Sequence, residues 1–154
     1  ERRRSRRREG ERGVMLIDHA ASPAGPEDAR RTAEALTKAR RVAVCGCGGE
    51  GDGCKRAMRG AVAAKYAGLT VVASDNPRFE EPQKIIADIT AGMKGGEFRT
   101  FPDRTEAVAF ALSEMAEGDT VVIAGKGSED YLDIRGKKVP YSDFDVARRW
   151  GQAR

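Results

Sequence analysis

The fold of this chain follows from one short stretch, Leu69-Thr70-Val71-Val72-Ala73-Ser74-Asp75-Asn76-Pro77-Arg78. Its first five residues are a continuous apolar run, which predicts a buried β-strand. Pro77 fixes its own φ and, on steric grounds, favours an extended Asn76. The turn therefore predicts a stiff loop from which Arg78 emerges in a defined direction, suited to bidentate capture of a carboxylate or phosphate. The alternative is a helix-entry turn with a solvated arginine.

Other apolar runs repeat this pattern along the chain. Strands are predicted at 14–17, 42–45, 98–101 and 120–124, and helical patterns lie between successive strands. On the helix that follows the second strand, Met58 and Val62 belong to the expected apolar face. Strands that alternate with helices predict an α/β fold, here a Rossmann-like three-layer domain with a mostly parallel sheet covered on both faces.

Polar loops follow four of these strands. Asp18 follows the first strand, a glycine-rich loop at 46–53 the second, the loop Asp75–Arg78 the third, and residues 125–130 the fifth. Parallel strands bring their carboxyl ends to one edge of the sheet, where open α/β sheets bind ligands. We therefore expect these loops to converge on one cleft.

The glycine-rich loop formally matches a dinucleotide fingerprint. Gly46, Gly48 and Gly51 have the required spacing, the loop follows a strand and precedes a helix, and Asp75 lies beyond the next strand. However, residues 52–54 lengthen the loop, whereas in a dinucleotide site the helix begins inside the glycine cluster. A dinucleotide-binding domain remains one alternative.

The loop at 125–130 is not a Walker loop, because the glycine spacing is absent. Lys126 and Glu129 are candidates to contact a zwitterion, and the alternative is a turn kept open by two glycines. With one histidine and three cysteines, the chain offers no credible catalytic triad, zinc site or disulfide framework. A reducing cytosol is the expected compartment, and no apolar run is long enough to span a membrane.

The basic charge is concentrated at the start of the chain. Residues 1–13 hold seven arginines and three glutamates, a net charge of +4 that equals the net charge of the whole chain. Such a run predicts a disordered arginine-rich tail, followed by one domain at 14–154. The tail is either a solvated leader or a weak, nonspecific nucleic-acid binder.

The loops taken together resemble the C-terminal domain of the bacterial Mur ligases, in particular the branch that adds meso-diaminopimelate to UDP-N-acetylmuramoyl-L-alanyl-D-glutamate in peptidoglycan synthesis. The resemblance spans roughly residues 14–151. It is carried by Gly46-Cys47-Gly48-Gly49, Lys55-Arg56, Met58, Ser74-Asp75-Asn76-Pro77-Arg78, Glu81-Pro82, Ile85-Ile86, Asp88-Ile89, Ala124-Gly125-Lys126-Gly127, Glu129-Asp130-Tyr131 and Tyr141-Ser142-Asp143.

The resemblance implies an ATP-dependent amide ligase that works through an acyl phosphate. It also implies that two preceding domains, or a partner chain, supply the phosphate loop and magnesium ligands, so that ATP and Mg²⁺ act only with those domains and none is tightly bound here. In that scheme Asp18 approaches the ATP ribose. The amino acid is bound by Asp75, Asn76, Arg78, Gly125 and Glu129.

Several family positions differ in this chain. The family's G-D-R-D reads Gly49-Glu50-Gly51-Asp52, so Gly51 replaces an arginine that would touch the amino acid, and Ala21 and Ser128 replace histidines. The loss of one such contact weakens binding by a factor of about a hundred. We expect a domain that binds diaminopimelate weakly and is inactive alone. The alternative is a noncatalytic scaffold module derived from this fold.

Overall fold

The computed structural model describes residues 6–9, 13–18, 39–127 and 129–152. Residues 26–38, where a helical pattern lies between the first two predicted strands, are outside these ranges. Within them the strands are β1 (Arg6–Glu9), β2 (Gly13–Asp18), β3 (Arg41–Cys45), β4 (Leu69–Ala73), β5 (Phe98–Phe101), β6 (Asp119–Ala124), β7 (Tyr131–Ile134) and β8 (Lys137–Pro140). The helices are α1 (Gly53–Tyr66), α2 (Pro82–Thr90), α3 (Arg104–Ser113) and α4 (Asp143–Gln152).

Six of the strands form one sheet in the order β1-β2-β6-β3-β4-β5. All neighbours in it are parallel except β1 and β2. β7 and β8 form a separate antiparallel hairpin. The predicted, mostly parallel sheet is therefore confirmed, with its carboxyl ends at one edge.

Side chains of the central strands alternate between two apolar layers, as the pleat of a strand requires. Val71 packs in a cluster with residues of α3 and α4, whereas its neighbour Val72 packs with the isoleucines of α2. Both valines are fully buried. Helices thus cover both faces of the sheet, which confirms the three-layer architecture.

Helix starts follow their local signals. The side chain of Asp103 accepts hydrogen bonds from the amides of Thr105 and Glu106, so it caps α3. Pro82 occupies the first turn of α2, where its missing N–H costs nothing. Ser142 accepts a bond from the amide of Asp145 at the start of α4. Each of these three helices thus begins at a residue type that favours a helix start.

The buried face of α1 differs from the prediction. Met58 and Val62 are 67% and 52% exposed, whereas Arg56 and Gly60 are buried. A Cβ at Gly60 would collide with the carbonyl of Ile89 in α2. The predicted face was wrong because α1 packs against α2 through Gly60 and through Arg56, which pairs with Asp88, rather than through its bulky apolar residues.

The arginine-rich start also differs from the prediction of a disordered tail at 1–13. Arg6–Glu9 pair antiparallel with β2, from Arg6 opposite Ile17 to Glu9 opposite Val14, and Gly13 begins β2 itself. The physical reason is that β2 would otherwise leave a row of unpaired backbone groups at the edge of the sheet. None of the described helices is long and apolar enough to cross a membrane.

Candidate functional site

The loops after β3, β4 and β6 meet at the carboxyl edge of the sheet, as predicted. Gly46, just after β3, lies so close to the carbonyl of Ala73 that a side chain there would collide with it. Gly125, just after β6, has a φ of 117°, and a Cβ there would lie 2.7 Å from a carboxylate oxygen of Asp75. Glycine at these two positions lets three loops share one small volume.

Asn76 holds the centre of this arrangement through its side-chain amide. Its Oδ1 accepts from Lys126 Nζ at 3.0 Å and from the amide of Asp133 at 3.0 Å, and its Nδ2 donates to Glu129 Oε1 at 3.1 Å. Its φ is 47°, so the extended conformation expected before Pro77 is wrong. These hydrogen bonds outweigh the steric preference, and asparagine tolerates the left-handed region better than most residues do.

Arg78 is held by the hairpin as well as by the proline. Its amide donates to the carbonyl of Asp133 at 2.9 Å, and its carbonyl accepts from the amide of Arg135 at 2.8 Å. Its half-buried guanidinium donates to the carbonyl of Gly49 at 2.8 Å. The defined direction predicted for Arg78 is therefore present, and its side chain reaches back towards the glycine-rich loop.

Lys126 joins the two sides of the site. The sequence made it a candidate contact for a zwitterion, although it was not among the amino-acid contacts that the family resemblance implies. Its side chain is fully buried, and its ammonium lies 3.2 Å from Asp75 Oδ1 and 3.3 Å from Glu129 Oε1. The glycines on either side, Gly125 and Gly127, have positive φ and turn the lysine inward. Two carboxylates and the amide oxygen of Asn76 thus surround one ammonium.

Asp75 and Glu129 are 15% and 24% exposed, so both border the buried cluster and solvent. Carboxylates at such a border are able to attract a cationic group. Arg78, on the same loop as Asp75, carries a positive charge. Charges of both signs therefore lie on the loops at this edge of the sheet.

Arg56 braces the glycine-rich loop from behind and was not predicted as part of the site. It is 3% exposed and donates to the carbonyl of Gly48 at 3.0 Å, to Glu80 at 3.0 Å and to Asp88 at 3.0 Å. Hydrogen bonds from Arg56, helped by the amide of Glu50, lower the pKa of Glu80 to about 2. A sequence signal for Arg56 was present, because Lys55-Arg56 is part of the family resemblance. Its partner Glu80 is not part of that resemblance, so the sequence did not single it out.

The glycine loop does not have the geometry of a pyrophosphate turn. α1 begins only at Gly53, and the side chain of Asp52 accepts from the amide of Cys54 at 2.8 Å, so the helix end is capped by the chain itself. A side chain at Gly49 would collide with the carbonyl of Pro77. The glycines of this loop allow close contact between neighbouring loops. The glycine spacing was the main support for a dinucleotide site, and that support is therefore removed.

Gly51 is less confined than Gly46, Gly49 and Gly125. A Cβ there would make only ordinary contacts, 3.4 Å from the carbonyl of Gly48 and 3.7 Å from Arg56 Nη2. The glycine is therefore not required by packing. The position therefore accepts a side chain, and we expect it to accept the arginine that the family resemblance implies here.

Asp18 ends β2 opposite Ala124 of β6, so its backbone lies at the same edge as the other loops. Ala21 and Ser128 lie outside the described residues. Among the residues that the structure describes, no group of three or more histidine, cysteine, aspartate or glutamate side chains is arranged to hold a metal ion.

Comparison with known proteins gives a consistent family. A family model described as "Mur ligase, glutamate ligase domain" matches residues 2–127. The UDP-N-acetylmuramoyl-L-alanyl-D-glutamate–2,6-diaminopimelate ligase of Chromobacterium violaceum is 43% identical over 145 residues, which cover 90% of this chain and 29% of that enzyme. The enzyme of the same name from Aquifex aeolicus is 43% identical over 136 residues, covering 88% of this chain and 28% of the enzyme.

A solved structure of a UDP-N-acetylmuramoyl-L-alanyl-D-glutamate–2,6-diaminopimelate ligase has the same fold over 97% of this chain and 31% of its own, with a TM-score of 0.88 and 32% identity. The chain thus spans less than a third of the length of the curated relatives it matches. The family match, the sheet topology and the convergence of the three loops agree: this chain belongs to the Mur ligase family and corresponds to its glutamate ligase domain.

Proposed function

We propose that this chain is the amino-acid-binding C-terminal domain of a cytosolic Mur-type amide ligase that adds meso-diaminopimelate to UDP-N-acetylmuramoyl-L-alanyl-D-glutamate. The observation that carries the proposal is the junction of Asp75, Asn76 and Glu129 around buried Lys126, beside Arg78. The names of the relatives supply the substrate, since the matched enzymes are diaminopimelate ligases.

In this proposal the amino acid binds through complementary charges. Arg78 holds the distal carboxylate, and Asn76 holds the same end of diaminopimelate. Glu129 and Asp75 favour the ammonium group, and Gly125 contributes its backbone, which a side chain would shield. L-lysine lacks the distal carboxylate, so it loses the contact with Arg78 and binds more weakly.

The reaction itself requires more than this chain. ATP transfers its γ-phosphoryl group to the γ-carboxyl of the D-glutamyl residue, which gives an acyl phosphate and ADP. The amine of diaminopimelate then attacks the acyl carbon, and the tetrahedral intermediate expels phosphate. This domain holds the amine donor at fixed geometry and, through Asp18, contacts the ATP ribose. ATP and Mg²⁺ bind with the two further domains, and the isolated chain does not ligate.

Calorimetric titration of meso-diaminopimelate and L-lysine into the protein tests the proposal. We expect measurable binding of diaminopimelate and weaker binding of lysine. Arg78→Ala should lower the affinity for diaminopimelate by about tenfold to a hundredfold and leave the affinity for lysine nearly unchanged, because only the contact to the distal carboxylate is lost.

Arg148→Ala is the matched control, since Arg148 is 60% exposed on α4 and pairs only with Asp145 among the ion pairs of the described residues. It should bind both ligands as the wild type does. Absence of binding, or binding that is indifferent to Arg78, would contradict the assigned pocket and favour the scaffold alternative.

A further inference from the structure

Arg104 is a fully buried arginine behind the candidate site, at the first position of α3. Its guanidinium pairs with Asp143 at the first position of α4. Nε lies 2.9 Å from one carboxylate oxygen, and Nη2 lies 3.0 Å from the other. This parallel pair of charge-assisted bonds is the strongest geometry available to an arginine. It ties the starts of two helices together under the edge of the sheet.

The same guanidinium also bonds two backbone carbonyls. Nη1 donates to Ser74 O at 3.3 Å, and Nη2 donates to Ala124 O at 3.1 Å. Ser74 follows β4 and Ala124 ends β6, the two strands on either side of β3. The next residues along the chain are Asp75 and Gly125, so one side chain reaches the base of both site loops.

Electrostatics keep this group charged. Burial by itself lowers the pKa of Arg104. The charge of Asp143, its hydrogen bonds and the carboxylate of Asp75 together outweigh that effect, so the pKa lies above its usual value. Burial raises the pKa of Cys45, at the end of β3, to about 12, and Arg104 opposes this rise.

We propose that Arg104 is a positioning residue that sets the loop Asp75–Arg78 and the loop beginning at Gly125 at a fixed separation. A planar, four-bonded guanidinium fixes the two carbonyls relative to each other and to Asp143. An ammonium cannot reproduce these directions, because it is a compact charge without the rigid fork. The role does not depend on which ligand the site binds.

Site-resolved amide hydrogen exchange of Arg104→Lys tests this role. The reporters are amides whose bonds depend on the loop positions: Gly49 to Asn76 O, Arg78 to Asp133 O, Glu129 to Lys126 O, and Asp133 to Asn76 Oδ1. We expect their exchange to accelerate about tenfold, equivalent to about 1.4 kcal/mol, while Val44 and Val122 in the sheet keep their wild-type rates.

Arg40→Lys is the matched control. Arg40 lies just before β3, at the amino ends of the parallel strands. Its guanidinium donates to the carbonyl of Glu114 at 2.8 Å and lies 3.6 Å from the carboxylate of Asp119. This substitution should leave the four reporters unchanged. Uniform acceleration of loops and sheet in Arg104→Lys, or no acceleration in the loops, would overturn the positioning role.

If Arg104→Lys does not fold, Tyr141→Phe gives the decision. The hydroxyl of half-buried Tyr141 donates to Asp143 Oδ1 at 2.7 Å, so the substitution removes a hydrogen bond from the partner of Arg104 and keeps the arginine side chain itself. We expect a smaller acceleration at the same four reporters and none in the sheet. Unchanged exchange at these reporters would overturn the proposal.

Discussion

Lys126 illustrates how one side chain organises a site from within. It is fully buried, yet its ammonium is matched by Asp75, Glu129 and the amide oxygen of Asn76. A buried ion pair contributes little net stability, but the removal of one partner leaves the others uncompensated. The lysine therefore fixes the carboxylates that the ligand would meet.

We expect Lys126→Met to lower the free energy of unfolding by about 3 kcal/mol, the lower end of the range for broken buried pairs, because both carboxylates keep some access to water. Urea denaturation measures this change. Lys84→Met is the control, since Lys84 is 67% exposed and its pairs with Glu80 and Asp88 should contribute less than about 1 kcal/mol. Equal effects of the two substitutions would contradict the structural role of Lys126.

Gly51 permits a gain-of-function test of the proposed pocket. We expect Gly51→Arg to fold normally, because the position is open, and to raise the affinity for meso-diaminopimelate by about tenfold or more, because it restores a positive charge beside a carboxylate ligand. Gly51→Met, of similar length and without charge, should not raise it. Calorimetric titration of both variants decides whether the charge is responsible.

Single residues were only partly predictable from the sequence. The sequence identified Asp75, Asn76, Arg78, Gly125 and Glu129 as candidates, and the structure brings all of them to one edge. The conformation of Asn76 was not predictable, because it depends on bonds to Lys126, Glu129 and Asp133, which are distant along the chain. Steric rules for neighbours cannot include such partners.

At the scale of elements, α1 shows why hydrophobicity alone misassigned a face. α1 and the C-terminal end of α2 approach each other at glycines: Gly60 lies against the backbone of Ile89, and Gly92, just after α2, lies against the backbone of Ala57. Bulky Met58 and Val62 cannot occupy such a close contact and remain exposed. Apolar periodicity marks the bulkier stripe, so it failed here, whereas in α2 the apolar residues Ile85, Ile86 and Ile89 do form the buried face.

Gly60→Ala tests this close contact through the sign of its effect. Alanine normally stabilises a helix interior by up to about 1 kcal/mol relative to glycine. Here we expect destabilisation by about 1–3 kcal/mol, because the new Cβ collides with the carbonyl of Ile89. Gly151→Ala, in α4 with no atom within 4 Å of its Cβ, should be neutral or slightly stabilising. Thermal or urea unfolding measures both, and a stabilised Gly60→Ala would refute the contact.

At the scale of the whole molecule, the bonds between Arg56 and Glu80 couple unfolding to pH. The pKa of Glu80 is about 2 in the folded protein, below its ordinary value of 4.5. A lowered folded pKa contributes stability that is complete above pH 4.5 and is lost as the pH falls towards 2. The two residues link α1 to the loop before α2, so the effect should appear in global unfolding.

We expect Glu80→Gln to be less stable than the wild type at pH 7, and the difference to shrink between pH 4.5 and pH 2. Urea unfolding at a series of pH values measures it. Glu97→Gln removes a carboxylate that is 58% exposed beside Arg99 and should keep the wild-type pH dependence. A Glu80→Gln difference that stays constant over this interval would show that the pair does not control acid unfolding.

The layered fold as a whole was predictable because apolar runs and loops report burial and chain direction locally. The strand at Arg6–Glu9 was not, since seven arginines in thirteen residues indicate solvation rather than pairing. Backbone hydrogen bonding to an open edge is independent of side-chain type, so composition does not reveal it. The buried pair of Arg104 and Asp143 was missed for a related reason, because charged residues are rarely fully buried.

The two edges of the sheet have a consequence for how molecules of this protein meet one another. Both edge strands, β1 and β5, are only four residues long, and each contains arginine: Arg6, Arg7 and Arg8 on one side and Arg99 on the other. Short edge strands that carry charged residues oppose pairing with the matching edge of a second molecule and growth of a continuous sheet. Salt screens interactions between exposed charges, so we expect edge-to-edge association of this protein to depend on ionic strength.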